Sequence, residues 1–351
     1  MREMDPPLPR VLTPREIYEE LDRYVIGQDQ AKQVVATAAY NHYKRLARGR
    51  MSPDGLLKKS NILLMGPTGC GKTHIARNLA RILDVPFTVC DATEYTEAGY
   101  YGKDVEVMVA ELLFKTDQDV DAVQSGIIFV DEIDKISRRS HGARTGAGSR
   151  DIGGEGVQQA LLKLLEGREV FVPLNVTQHW NKHDFVLVDT SDILFICAGT
   201  FTDLPAMEPE KTIGFKENRS GKSRRQVTQK ELMEYGLIPE LLGRLPVMVQ
   251  LDLLSEDELV RILCDPPDSV LREFTELLAM DEITLELTED AKHAVVRSAQ
   301  EKRLGARGLR GIIEDVLRQV MFEAPERRGQ TVKVDERFVR DRFLQLKGDK
   351  S

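Results

Sequence analysis

One stretch constrains this chain more than any other. Gly66-Pro67-Thr68-Gly69-Cys70-Gly71-Lys72-Thr73 fills the pattern G-x-x-x-x-G-K-T, directly after the apolar run Asn61 to Met65 and at the start of a helix-like segment from Lys72. Glycines let the backbone bend tightly enough for successive amides to converge on phosphate oxygens, at a helix N-terminus whose partial positive charge favours anions. In this pattern Pro67, Thr68, Gly69, Cys70 and Gly71 line the phosphates of ATP, with His74 beside them, while Lys72 reaches the β and γ phosphates and Thr73 ligates Mg²⁺.

A second motif is the partner of the first. Ile127-Ile128-Phe129-Val130 reads as a buried strand that ends on two adjacent carboxylates, Asp131 and Glu132. Unpaired carboxylates are costly at a buried strand end, so they need a cation or a proton to manage. Asp131 is expected to hold Mg²⁺ through its water shell. Glu132 is expected to orient and polarise the water that attacks the γ phosphate, a role worth roughly 10² to 10⁴ in rate.

Strand-like and helix-like segments alternate from about residue 61 to 200: Asn61 to Met65, a helix from Lys72, Phe87 to Cys90, a helix through Asp104 to Phe114, Gly126 to Val130, and Ile193 to Cys197. Short apolar strands separated by helices predict an α/β fold, a parallel sheet with helices on both faces. Val157, Ala160, Leu161, Leu164 and Leu165 repeat with helical period and stop at Gly167. Thr13 to Glu16 and Ser255 to Glu258 have capping-box spacing, and the second opens a helix after the strand-like Val247 to Leu251. The expected organisation is a flexible arm over 1–12, a large α/β ATPase domain over 13–251, a smaller, mostly helical domain over 252–346 with one late strand at Thr331 to Val334, and a tail over 347–351. Met207 to Arg225 reads as a long exposed loop.

Composition narrows the partners. The 351 residues carry 49 basic and 57 acidic side chains, a net charge of −8, so no chain-wide basic field holds polyanions and nucleic acid is an unexpected ligand. Cys70, Cys90, Cys197 and Cys264 lie far apart, with no C-x-x-C pair for zinc or thiol exchange. No apolar stretch approaches the roughly 18 residues of a membrane span, and MREMDPPLPR lacks a signal-peptide core, so a cytoplasmic location is expected.

These residues resemble the AAA+ ATPases, and more closely the ClpX unfoldases, from about residue 13 to 346. Beyond the two nucleotide motifs, the matching stretches are Tyr24-Val25-Ile26-Gly27-Gln28, Glu97-Ala98-Gly99-Tyr100 with Gly102, the run from Gly154 to Lys163, Leu237-Ile238-Pro239-Glu240 with Gly243-Arg244-Leu245-Pro246, and Gly305-Ala306-Arg307-Gly308-Leu309-Arg310. The resemblance implies that Val25 and Ile26 border the adenine and that Thr200 senses the γ phosphate. It also makes Arg244 a finger reaching into the neighbouring subunit's site and Arg307 a sensor arginine from the small domain. An arginine acting in trans requires a homo-oligomer, by resemblance a hexameric ring.

The same resemblance makes Tyr100 and Tyr101 a central-pore loop that grips a translocating polypeptide, and Arg150 and Asp151 part of a second pore loop. The family has an aliphatic residue and an acidic one where this chain has Tyr101 and Lys103. Ile213-Gly214-Phe215, two large apolar side chains in a charged loop, would anchor a ClpP-type peptidase ring. The family's pore-entrance loop is basic where this chain has Gln178, His179 and Trp180. Its amino-terminal zinc-binding module has no counterpart here, so no zinc is expected. The implied function is an ATP-dependent unfoldase that threads unfolded or tagged proteins.

A nucleic-acid motor of the same superfamily is the main alternative. The acidic charge balance, the tyrosine loop and the lack of a helix-turn-helix extension argue against it. An HslU-type unfoldase is a nearer rival, but only about 60 residues separate Asp131 from Ile193, little room for that family's inserted domain.

Overall fold

The computed structural model describes residues 12–49, 58–96, 103–137, 154–174, 185–205, 207, 225–302 and 304–348. The described residues of Met1–Glu19, Gln30–Pro67 and Lys72–Leu251 form one compact unit, and those of Glu20–Asp29, Thr68–Gly71 and Asp252–Ser351 form a second.

The first unit is built on the expected apolar runs. β1 (Ile62–Met65), β2 (Phe87–Asp91), β3 (Ile127–Asp131), β6 (Leu194–Gly199) and β7 (Val247–Gln250) make a wholly parallel sheet in the order β2-β3-β6-β1-β7. All four residues of β1, all six of β6 and the four apolar residues of β3 are buried, because helices cover both faces. Full burial of each such side chain contributes about 1.5–3 kcal/mol, which is why these strands read as continuous apolar runs. Register brings Asp91 opposite Asp131, and Met65 opposite Gly199, so the chemistry-bearing residues leave the sheet at its carboxyl edge.

The helix Gly154–Glu166 buries Val157, Ala160, Leu161, Leu164 and Leu165 as its period predicts. Gln158 is also fully buried; its amide donates to Ile136 O at 2.8 Å and accepts from Ile238 N–H at 2.8 Å. Three elements differ from the sequence reading. A helix spans Val120–Gln124, and β4 (Glu169–Pro173) pairs antiparallel with β5 (Phe185–Asp189) in a separate ribbon. The ribbon leaves Phe171 and Leu187 opposite one another and exposed while Val170 and Val172 are buried, so both faces carry apolar side chains and the sequence lacks the apolar–polar alternation that marks a half-buried strand.

Below the amino edge of the sheet lies a polar knot. Lys59 Nζ donates to Thr190 O at 2.8 Å and stands over the Phe195 ring at 4.6 Å. Arg45 binds Ser191 O and the Asp192 carboxylate, and His42 Nε2 donates to Asp192 O at 2.9 Å. Burial, reinforced by Arg45, brings Lys59 down to about 7; burial with Arg45 and Lys59 brings His42 down to about 3.

The second unit packs Leu263, Phe274, Val295, Ile313 and Leu317 between helices Glu256–Cys264, Val270–Ala279, Glu289–Glu301 and Arg307–Glu323. Ser255 and Glu258 form the expected capping box, with reciprocal bonds of 3.2 and 2.8 Å. It holds two strands where one was expected: β8 (Thr284–Leu287) pairs in parallel with β9 (Thr331–Val334). Among the described residues no helix is long and apolar enough to cross a membrane.

Candidate functional site

The loop after β1 turns through left-handed backbone at Gly69 (φ +78°) and Gly71 (φ +103°) before the helix Lys72–Leu83 begins. That helix buries Ile75, Ala76, Leu79 and Ala80, which fixes its N-terminus against the sheet. The Lys72 ammonium is buried and donates to Gly66 O at 2.6 Å and Pro67 O at 3.1 Å. A buried ammonium held by loop carbonyls is primed for an anion: phosphate oxygens offer it stronger, charge-assisted partners.

Thr73, on the next residue, places its Oγ1 3.5 Å from Asp131 Oδ2 across the carboxyl edge. Asp131 Oδ1 accepts from the Glu132 N–H at 2.9 Å. A hydroxyl and a carboxylate oxygen at this separation suit a hard divalent cation with a partial water shell. Glu132 itself has left-handed backbone, φ +60° and ψ +31°, in a non-glycine residue. Such a conformation costs on the order of 1–3 kcal/mol and concentrates at functional sites. Here it turns the chain off the line of β3 into the short turn Ile133–Ile136, and the Glu132 carboxylate accepts from Lys135 Nζ at 2.5 Å.

Thr200 follows β6, and its hydroxyl donates to Asp134 Oδ2 at 2.8 Å. Gly199 admits this approach, since a β-carbon there would stand 2.8 Å from Asp134 Oδ1 and 2.6 Å from the Phe201 ring. Lys72, Thr73, Asp131, Glu132 and Thr200 are therefore assembled at one edge of one sheet.

Arg244 is not at that edge. Its carbonyl accepts from Asn61 Nδ2 at 3.0 Å, and Asn61 immediately precedes β1, whereas Lys72 follows the other end of that strand. Four strand residues, roughly 10–13 Å, lie between the two ends. The Arg244 guanidinium is half-exposed and donates to Glu166 Oε1 at 3.0 Å; Arg168 holds the same carboxylate, and the pair, Arg168 first, lowers the Glu166 pKa.

In the second unit Val25 and Ile26 are buried, and Gln28 bonds the Asp252 backbone twice, at 2.8 and 3.0 Å, while also reaching Cys70 O. Thr68–Gly71 belongs to this unit by packing. A β-carbon on Gly69 would lie 2.8 Å from Leu304 O and 3.2 Å from Gly305 Cα, so the phosphate loop runs against the segment that leads into Arg307. Arg307 opens its helix and is exposed; Arg310, three residues on, is tied to Glu273 by two bonds of 2.6 and 2.7 Å. His74 lies in the first turn of the helix after the loop, beside Asn78.

Tyr100, Tyr101, Arg150, Asp151, Ile213, Gly214, Phe215, Gln178, His179 and Trp180 lie outside the described residues. The stem below Tyr100 is described: Thr96 N–H donates to Lys103 O at 3.0 Å and Lys103 N–H to Glu94 O at 3.1 Å. The Lys103 ammonium bridges Glu94 and Glu111 at 3.0 and 2.9 Å, which raises its pKa. This is what occupies the position where the resemblance led one to expect an acidic residue.

Sequence reasoning missed Asp134, Lys135 and Asn61. The first two follow Asp131-Glu132 by two and three residues, a spacing that marks a turn only once the strand's end is known. Asn61 carried a signal: a polar residue at the mouth of a buried strand needs partners, and it finds Leu165 O, Arg244 O and Phe195 N–H.

Comparison with known proteins matches this architecture over both units. The AAA domain (Cdc48 subfamily) matches residues 57–248, and the C-terminal, D2-small domain of ClpB protein matches residues 254–336. The ATP-dependent Clp protease ATP-binding subunit ClpX 2 of Wolinella succinogenes is 43% identical over 327 residues, 93% of this chain and 81% of that protein. The ATP-dependent Clp protease ATP-binding subunit ClpX of Treponema denticola is 43% identical over 329 residues, 91% of this chain and 79% of its own length. With the phosphate loop, the paired carboxylates and the sheet order in place across that shared length, the chain is an AAA+ ATPase and belongs to the ClpX family.

Proposed function

We propose that this ATPase uses hydrolysis to unfold proteins and thread them through a ring of its own copies, delivering them to a ClpP-type peptidase. The observation that carries the reading is the extent of the relationship: the match to ClpX proteins, at 43% identity, covers 93% and 91% of the chain.

The division of labour follows from the site. Thr73 and Asp131 would hold Mg²⁺, which when bound offsets negative charge on the β and γ phosphates. Lys72 exchanges its loop carbonyls for phosphate oxygens. Glu132 accepts a proton from the attacking water, and Thr200, oriented by Asp134, lies at the edge where a γ phosphate would be sensed. Val25 and Ile26 would supply an apolar seat for the adenine, and Arg307 would act as a sensor arginine that adds positive charge.

Arg244 begins at the opposite end of its own sheet from Lys72, which supports action on the nucleotide of an adjacent copy. A transition-state arginine of this kind is worth about 10³ to 10⁵ in rate. A hexameric ring, Tyr100 and Tyr101 on its pore loop with Arg150 and Asp151 on a second pore loop, and Ile213-Gly214-Phe215 at the peptidase contact complete the proposal, in the cytoplasm. Tyrosine rings offer a sequence-tolerant grip on a passing chain. Substrate domains are stable by roughly 5–15 kcal/mol, so repeated pulling has a barrier to overcome.

The test is incubation with ATP, Mg²⁺, a ClpP-type peptidase and a tagged, folded fluorescent protein. Loss of fluorescence that requires ATP supports the proposal. Persistent fluorescence during active ATP turnover, with and without peptidase, rejects it.

A further inference from the structure

The turn Ile133–Ile136 buries Ile133, Asp134 and Ile136, and it is anchored on three sides. Lys135 N–H donates to Glu132 O at 3.0 Å, Asp134 accepts from Thr200 at 2.8 Å, and Ile136 O accepts from the buried Gln158 amide at 2.8 Å. The stem of Lys135 therefore grows from a fixed base, while its side chain is 55% exposed. Its ammonium has Asp91, Glu132 and Asp134 in its surroundings and is bonded to Glu132 Oε2 at 2.5 Å.

Glu132 is fixed at the other end. Its N–H is taken by Asp131, and its backbone lies in the left-handed region, so little is left to choose except where the carboxylate swings. Asp131, Asp91 and Asp134 would repel that carboxylate. Lys135 offsets the repulsion and takes one oxygen, leaving the lone pairs of Oε1 for a water.

We propose that Lys135 is a positioning residue for ATP hydrolysis: from the fixed turn it holds Glu132 Oε2, so that Oε1 can accept the proton of the attacking water. The inference rests on the reading of Glu132 as general base. An exposed ion pair contributes only about 0–1 kcal/mol to stability, whereas displacing a reacting group by about 1 Å can cost up to about a hundredfold in rate. The two roles therefore separate by measurement.

The experiment is steady-state ATP hydrolysis by the full chain carrying Lys135→Met, Lys135→Arg or Glu132→Gln, with unfolding midpoints measured alongside. Lys135→Met is expected to lower kcat by about tenfold to a hundredfold, with KM for ATP and the midpoint unchanged, and Lys135→Arg to restore most of the loss. A normal kcat in Lys135→Met, a change in KM alone, or no rescue by arginine overturns the proposal. Should Lys135→Met fail to fold, Lys135→Gln is read against Lys135→Arg by the same criteria. Glu132→Gln separates the two levels: normal turnover there removes the general-base reading itself, while an inactive Glu132→Gln beside a normal Lys135→Met removes only the role of Lys135.

Discussion

The Thr200 hydroxyl donates to the buried Asp134 carboxylate at 2.8 Å, tying the end of β6 to the turn that follows β3. Removing one partner of a hydrogen bond to a charged group costs about 1–3 kcal/mol when the other stays buried. Thr200→Ala should therefore lower the denaturant midpoint as well as ATP turnover, and Thr200→Ser should recover both. Turnover lost without any change in midpoint would show that Thr200 acts on nucleotide alone.

Arg244 and Glu132 occupy opposite ends of one sheet, so a complete site under the proposed ring takes one from each of two neighbours. Arg244→Ala and Glu132→Gln should each be nearly inactive alone, and mixing the two purified variants should restore part of the hydrolysis. Because the Arg244 pair with Glu166 is exposed, Arg244→Ala should shift stability by less than about 1 kcal/mol. Mixtures no more active than their components would place both groups in the same subunit's site.

Gly69 is required by its backbone, φ +78°, and by its surroundings, the Leu304 carbonyl and Gly305. Gly69→Ala adds about 1–2 kcal/mol of left-handed strain before any clash is relieved. A lower unfolding midpoint in the absence of nucleotide, together with weaker binding of a fluorescent ATP analogue, is the expected result.

Lys59 gives stability a pH dependence of determinate sign. Its pKa falls from the ordinary 10.5 in the unfolded chain to about 7 in the folded one. Between these values the unfolded state holds the extra proton, so stability rises with pH. Buried Cys197, raised from 9.0 to about 12, works in the opposite direction at higher pH. The rise should thus be sought between pH 7 and about 8.5, by chemical denaturation, and Lys59→Met should flatten it. An unchanged slope in that variant would assign the effect to another group.

Much of the nucleotide edge was legible because its physics is local. A glycine-rich turn between a buried strand and a helix, and two carboxylates at a buried strand end, each announce a burial problem that few arrangements solve. The β4–β5 ribbon was not, because Phe171 and Leu187 face outward and its strands lie on either side of residues 175–184. β8 was missed because Thr284–Leu287 offers only two apolar residues and becomes a strand by pairing with β9, some 44 residues later in the chain. Asp134 and Lys135 escaped notice because their importance lies in contacts with Thr200 and Glu132 that no spacing in a single sequence encodes.

The bond between Asn61 and the Arg244 carbonyl fixes a polarity whose effect grows with assembly. On the proposed arrangement every protomer contributes halves of two different centres, one at each end of its central strands. An open string would leave an idle half at both tips, and closing it leaves none, so circularity becomes a condition for using every centre at once.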